Sequence, residues 1–298
     1  MTNRRSMMKI KVDNAIILAA GFASRFVPLS LEYPKGLTVV KGEVLIERQI
    51  QQLKDAGISE IIVVTGYLKD QYAYLKEKYG VVLIENTEYS VRNNHSSIYA
   101  ARAYLKNSYI CSSDNYFPTN PFHSQEDHAF YSAVYADGQT DEWCLATDEH
   151  GLITQVNIGG KDAWYMLGHV FWDAGFSSRF LHVLENEYSD SSIRDFMWEH
   201  LYIRHLSELE LFIKKYPSDA ILEFDSLEEL RCYDSSYLTN SNSLILKEIS
   251  CQLSCQESEI GNIQPFHDSF GNLGFTFTCR KCTYCYCNGL LITNTCSN

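Results

Sequence analysis

Apolar and polar positions along the first 115 residues alternate between two periods. IILAA (16–20), IIVVTG (61–66), VVLI (81–84) and SYICSSDN (108–115) are short, nearly continuous apolar runs, as expected of strands buried on both faces. Between them lie segments with helical spacing. VLIERQIQQLKDAG (44–57) has apolar residues at 44, 45, 46, 50 and 53 and Gly57 at its end, and LKDQYAYLKEKYG (68–80) closes on Gly80. NNHSSIYAARAYLKN (93–107) begins with an asparagine suited to a helix cap. Strands alternating with helices predict an α/β fold, a Rossmann-like mixed, mostly parallel sheet with helices on both faces. Ligand sites in such sheets lie beyond the carboxyl ends of the strands. The stretch at 20–35 and Asp114 both fall there.

From residue 129 the rhythm changes. AFYSAVYA (129–136), EWCLATD (142–148), GLITQVNIGG (151–160) and WYMLGHVFWD (164–173) read as strands, with a hairpin at Asp148–Gly151. Helices are expected near 175–187 and 191–205, and ELFIKKY and AILEFDSLEEL supply a strand, a strand end and a helix start. This half predicts a small antiparallel substrate-binding lid beside the nucleotide half. The first domain is expected to be 1–238. TNSNS (239–243) reads as a linker and SLILKEIS as a short helix, and 239–298 is expected to be a poorly ordered tail.

Bulk properties narrow the function. The 298 residues are 45% hydrophobic and 21% charged, enough for a sizeable core. A net charge of −12 argues against nucleic acid as partner, although a local cationic pocket can still take a small anion. No apolar run reaches the ~20 residues that span a bilayer, and nothing at the start has the pattern of a secretory signal. Of ten cysteines, seven follow residue 250, so the first 250 residues suit a reducing, cytoplasmic setting.

The chemistry concentrates in LAAGFASRFVPLSLEYPKGL (18–37). A strand that runs into small residues lets backbone N–H groups approach a phosphate, and Arg25 and Lys35 add two cations that can reach different phosphate oxygens. The stretch is neither a Walker A loop nor a G-x-G-x-x-G loop. A surface loop with two solvated cations is the plainer alternative, which the ordering of residues disfavours. Asp114 in SSDN and Asp225 in EFDS are candidate carboxylates. For each the competing job is local: a turn or cap after the strand for Asp114, and the cap of the following helix for Asp225.

This stretch resembles the signature of the sugar-phosphate and phosphocholine nucleotidyltransferases, LAAGxGSRxxPLTxxxPKxL. Ala23 stands where that pattern has its second glycine, a mild departure unless φ must be positive there. The likeness runs through GYLKDQYAYLKEKYG, NNHSSIYAA, SSDNY and DEWCLATD to EFDSLEEL, about residues 12–235. It is nearest the bacterial CTP:phosphocholine cytidylyltransferases (EC 2.7.7). The resemblance implies a GT-A-like fold and transfer of CMP from CTP to phosphocholine with Mg²⁺. It implies nucleotide contacts from Ala19, Ala20, Gly21, Ala23, Ser24 and Asn94, catalytic charge from Arg25 and Lys35, and metal ligation by Asp114 and Asp225. Arg, Lys and Asp without a nucleophilic pair suit this chemistry. Two anions must meet, and an already ionised phosphate needs no general base.

For the acceptor, the second half offers aromatic residues rather than the polar side chains that read a sugar. Trp143 with Glu142, Asp173 after Trp172, and Trp198 are the candidates for holding a quaternary ammonium by ring faces and negative charge. Tryptophans in strands also serve as core. A sugar-1-phosphate or aminoalkylphosphonate nucleotidyltransferase and a non-catalytic nucleotide sensor remain open alternatives. The tail contains IQPFHDSFGNLGFTFTC, which resembles the opening of a choline-kinase-like phosphotransferase, cut short before any catalytic loop. Cys279, Cys282, Cys285 and Cys287 crowd four thiols into nine residues, unlike the paired spacing of structural zinc sites. Every candidate site residue precedes 230, so the tail is expected to be dispensable for transfer.

Overall fold

A computed structural model describes residues 9–296. The chain forms two compact units. One runs up to Gly21 and resumes over Ile46–Leu222; the other is built from Phe22–Leu45 and the chain from Glu223 onward.

The first unit is a seven-stranded mixed sheet. Its strands are β1 (Asn14–Ala19), β2 (Ile61–Thr65), β3 (Val82–Glu85), β4 (Ser108–Ser112), β5 (Phe130–Thr147), β6 (Ile153–Trp172) and β7 (Phe212–Lys215), in the order β7-β5-β6-β4-β1-β2-β3. β1, β2, β3 and β4 are mutually parallel, and β6 joins β4 antiparallel. The apolar runs explain the centre: Ala15, Ile16, Ile17 and Ile62, Val63, Val64 are all buried. Helix α1 (Leu45–Asp55) buries Ile46, Ile50 and Leu53 from one stripe. α2 (Tyr74–Tyr79) ends at Gly80 with φ +68°, a left-handed C-cap. α3 (His95–Ala100) precedes β4.

The four strands expected between 129 and 173 are two long ones. β5 and β6 pair antiparallel through several bulges, with left-handed residues at Gly138, Gly159 and Asp162. Bulges bend a ladder without ending it, so a local break in alternation is not a strand boundary. α4 (Ala174–Glu187) and α5 (Trp198–Arg204) pack Phe176, Phe180, Leu184, Trp198, Leu201 and Tyr202 into a core with Trp172 and Tyr131.

The second unit joins loop 22–45 to the C-terminal chain. The loop makes three short 3-10 turns, Ser24–Phe26, Leu29–Leu31 and Lys35–Leu37. Around it lie α6 (Leu227–Tyr233), α7 (Leu244–Leu253) and a sequential antiparallel meander, β8 (Ile260–His267), β9 (Leu273–Cys279), β10 (Cys282–Cys287) and β11 (Leu290–Cys296). The boundary expected at 238 is therefore not where the chain divides, and the tail expected to be poorly ordered holds a helix and a sheet. Its core supplies the reason: Leu246, Ile249, Ile260, Phe275 and Phe277 are fully buried. Pleating places Cys285 and Cys287 on one face of β10 and Cys282 on the other. Among the described residues no group of three or more His, Cys, Asp or Glu is placed to hold a metal ion.

Candidate active site

Within the first unit the chain builds β1, β2 and β3 on one side and returns to place β4 on the other flank of β1. That reversal makes β1 and β4 the switch point of the sheet, where open α/β folds bind ligands. Their carboxyl ends are tied together, with Ser113 N–H donating to Leu18 O at 3.1 Å. Ala19 and Ala20 close β1, each 4% exposed, and Gly21 is exposed beyond them. Behind them Tyr67 N–H donates to Ala20 O at 3.0 Å. Gly66 permits that approach, because a Cβ there would meet Ala20 O at 2.9 Å and the Tyr89 ring at 2.7 Å. Asp114 sits in the turn after β4, where Ser112 Oγ donates to its Oδ1 at 2.5 Å. Only the Asp114 side chain among the candidates of this unit is a carboxylate at the switch point.

Asn94 lies at the start of α3 and holds α5. Its Oδ1 accepts Trp198 N–H at 2.7 Å, and its Nδ2 donates to Glu199 at 3.5 Å. Trp198 itself is 3% exposed, stacked on Tyr131 and enclosed by Trp172 and Phe180. It is a core residue rather than a substrate wall. Asp173 is corrected in the same way: its Oδ1 accepts Phe176 N–H at 2.7 Å as the N-cap of α4. Trp143 keeps an intermediate exposure and meets the His200 ring edge-on at 4.8 Å; Glu142 beside it is exposed.

Sequence reasoning missed Glu199. Burial raises its carboxyl from the usual range to about 7, while hydrogen bonds from Tyr131 Oη (3.1 Å) and Asn94 oppose that rise. Nothing in local sequence marks it, since the partners come from residues 94 and 131.

In the second unit the two candidate cations and one candidate carboxylate meet. Arg25 Nη1 is 2.8 Å from Asp225 Oδ2, and Lys35 Nζ is 3.0 Å from Asp225 Oδ1 and 3.5 Å from Glu223 Oε1. The environments differ. The Arg25 side chain is 73% exposed and that of Lys35 8%, with Lys35 Nζ also over the Phe26 ring at 5.7 Å. Asp225 is free for this work because Ser226 caps α6, its Oγ accepting Glu229 N–H at 3.2 Å. Glu229 in turn accepts Asp225 N–H at 2.7 Å and fixes the chain there. Ala23, before Ser24, has φ +52° and ψ +56°. The missing glycine is thus at a left-handed position, so the departure from the motif costs strain.

A small-residue loop that leaves the switch point of a parallel sheet suits a nucleotidyltransferase. Comparison with known proteins agrees: the MobA-like NTP transferase domain matches residues 15–150. The chain is 35% identical over 217 residues to the choline-phosphate cytidylyltransferase of Streptococcus pneumoniae, covering 73% of this chain and 95% of that one. It is 36% identical over 229 residues to the 2-aminoethylphosphonate cytidylyltransferase of Lancefieldella rimae, covering 76% and 93%. A solved structure of the Streptococcus pneumoniae CTP:phosphocholine cytidylyltransferase superposes with a TM-score of 0.73 at 35% identity, over 76% of this chain and 99% of that one. The chain belongs with these enzymes, the cytidylyltransferases of the MobA-like nucleotidyltransferase fold.

Proposed function

We propose that the protein transfers CMP from CTP to phosphocholine, giving CDP-choline and pyrophosphate, in the cytoplasm where CTP is made. The observation that carries the reading is the ion-pair cluster of Arg25, Lys35 and Asp225 at 2.8 and 3.0 Å. A monoester phosphate must attack the α-phosphorus of a triphosphate, and both are anions. Cations held in place before substrate arrives lower the cost of bringing them together.

Each side chain has a role that its surroundings support. Ala19, Ala20, Gly21, Ala23 and Ser24 offer backbone amides and little bulk to the nucleotide. Exposed Arg25 exchanges Asp225 for triphosphate oxygens and balances charge as pyrophosphate leaves. Buried Lys35 has little freedom and lies where a carboxylate pair already fixes its ammonium, which suits a bridge between α-phosphate and incoming phosphate. The family generally uses a divalent metal, and here Mg²⁺ is the expected ion. Asp114 in the first unit and Asp225 in the second are each candidate hard oxygen donors, and a single carboxylate can suffice because Mg²⁺ keeps waters and substrate phosphates as its other ligands. When bound it neutralises charge on the phosphates. Asn94 acts through α5 rather than through a free amide. Partly exposed Trp143, and Glu199, held by Tyr131, favour a cationic head in the acceptor.

A second reading deserves equal trial because the likeness to the 2-aminoethylphosphonate enzyme is as strong as that to the choline-phosphate enzyme. Both acceptors pair an acidic phosphorus group with a cationic nitrogen; they differ in methylation of that nitrogen and in the ester oxygen, which the phosphonate replaces by a direct C–P bond. CTP and Mg²⁺ with equal concentrations of the two acceptors decide the matter by mass spectrometry. Mostly CDP-choline supports the proposal, mostly the CMP-phosphonate product supports the second reading, and neither product overturns both.

A further inference from the structure

We propose that Glu32 is a positioning residue through which the C-terminal extension sets the placement of the loop that carries Arg25 and Lys35. The inference rests on the nucleotidyl-transfer reading. Glu32 lies in that loop between the two cations, and its carboxylate is committed to the far end of the chain. It accepts the Ser243 hydroxyl, Leu244 N–H at 2.7 Å and Ile245 N–H at 3.3 Å. These are the N-cap and first turn of α7, whose amides have no partners inside the helix. A carboxylate there is favoured by both hydrogen bonding and the helix dipole. Ser243 is fully buried and its Oγ also accepts Leu246 N–H at 3.0 Å, so the junction is packed on the helix side as well.

A second attachment lies at the turn that carries Arg25 itself. Strand β8 packs against the turn Ser24–Phe26. β8 is itself fixed to α6: the buried Arg231 guanidinium donates to Ile260 O at 2.6 Å and to Glu257 O at 2.8 Å, and Glu228 accepts Ile263 N–H at 3.2 Å. Asp225, which pairs with both cations, immediately precedes that helix. The extension thus grips the loop at the turn that carries Arg25 and again at Glu32, and it holds the helix that presents the counter-charge. Residues 12–235 carry the family likeness, yet the contacts at Glu32 and at the Ser24–Phe26 turn come from 243–267. Preorganised charge accelerates transfer only while its placement is kept to a fraction of an ångström.

The test uses the full chain with Glu32→Ala, Glu32→Gln and Ser243→Ala. Glu32→Ala is expected to lower kcat for CMP transfer about tenfold while the KM for CTP changes less than about threefold, the split expected of misplaced charge. Glu32→Gln, which keeps one acceptor oxygen, should lie between it and the unaltered chain. Combining Glu32→Ala with Ser243→Ala should add little to Glu32→Ala alone, because both break one junction. Independently of turnover, hydrogen exchange should quicken at amides 24–38 and stay unchanged in β1, β2 and β4. Unchanged kcat with unchanged exchange over 24–38 overturns the proposal, as does exchange that quickens evenly over the whole sheet. Should the unaltered chain show no CMP transfer, the function reading fails, and the exchange measurement still decides the junction.

Discussion

Ala23 shows how much one residue can hide in a sequence. The motif is legible by eye, and the substitution of alanine for its glycine looks small until the backbone puts φ at +52°. Alanine in that region costs about 1 kcal/mol, so Ala23→Gly should raise Tm by roughly 1–2 °C in a calorimetric scan. Arg25 and Lys35 were also legible, but their surroundings were not, since Asp225 and Glu223 are separated from them by almost two hundred residues. The contrast in exposure predicts different variants. Arg25→Ala should lose about 10²-fold or more in kcat/KM with little change in Tm, because an exposed ion pair contributes at most about 1 kcal/mol. Lys35→Ala should lose comparable activity and also melt earlier, because its buried ammonium joins Asp225 and Glu223. Near-normal turnover in both variants contradicts the assignment. Glu199 adds a pH dependence. Its folded carboxyl titrates near 7 rather than the usual 4.5, so the folded state binds the proton more tightly. That favourable contribution is complete below 4.5 and is lost as pH rises to about 7. Glu199→Gln should therefore melt at a higher temperature than the unaltered chain at pH 8, with the gap closing toward pH 4.5; a gap that is constant with pH contradicts it.

At the level of elements, periodicity located β1, β2 and β4 because strands buried on both faces are apolar throughout, and it also found β3, although that strand is a half-exposed sheet edge; it placed Asp114 and the alanines at strand ends, while the switch point needed the strand order. It failed where backbone irregularity, not composition, decides the outcome. β5 and β6 read as four strands because the bulges near Gly138 and Gly159 interrupt the alternation while the pairing continues. Caps were the other difficulty. An aspartate before a helix looks the same whether it caps the helix or serves chemistry, and only the hydrogen bonds separate Asp173, which caps α4, from Asp225, which leaves that task to Ser226. The two predict opposite outcomes. Asp173→Ala should cost about 1 kcal/mol of stability and leave KM for the acceptor unchanged. Asp225→Ala should abolish most turnover at a similar cost in stability. A raised acceptor KM in Asp173→Ala would restore it to the substrate site.

The whole molecule divides differently from the sequence. A linker composition at 239–243 suggested an appended tail, but contacts that tie residues 22–45 to the C-terminal chain are long-range and leave no trace in local pattern. The tail therefore cannot be assumed dispensable, and a chain ending at residue 238 is expected to transfer CMP at least tenfold more slowly than the full chain. No helix among the described residues is long and apolar enough to cross a membrane. The central claim is attack by an acceptor phosphate on the α-phosphorus of CTP, and oxygen labelling tests it most directly. Phosphocholine carrying ¹⁸O in its terminal phosphate oxygens is incubated with CTP, Mg²⁺ and the protein, and the products are resolved by ³¹P NMR. The predicted result is CDP-choline that retains the label, including at the bridging oxygen, with unlabelled pyrophosphate released in equal amount. Label in the pyrophosphate, or orthophosphate in place of pyrophosphate, would contradict it.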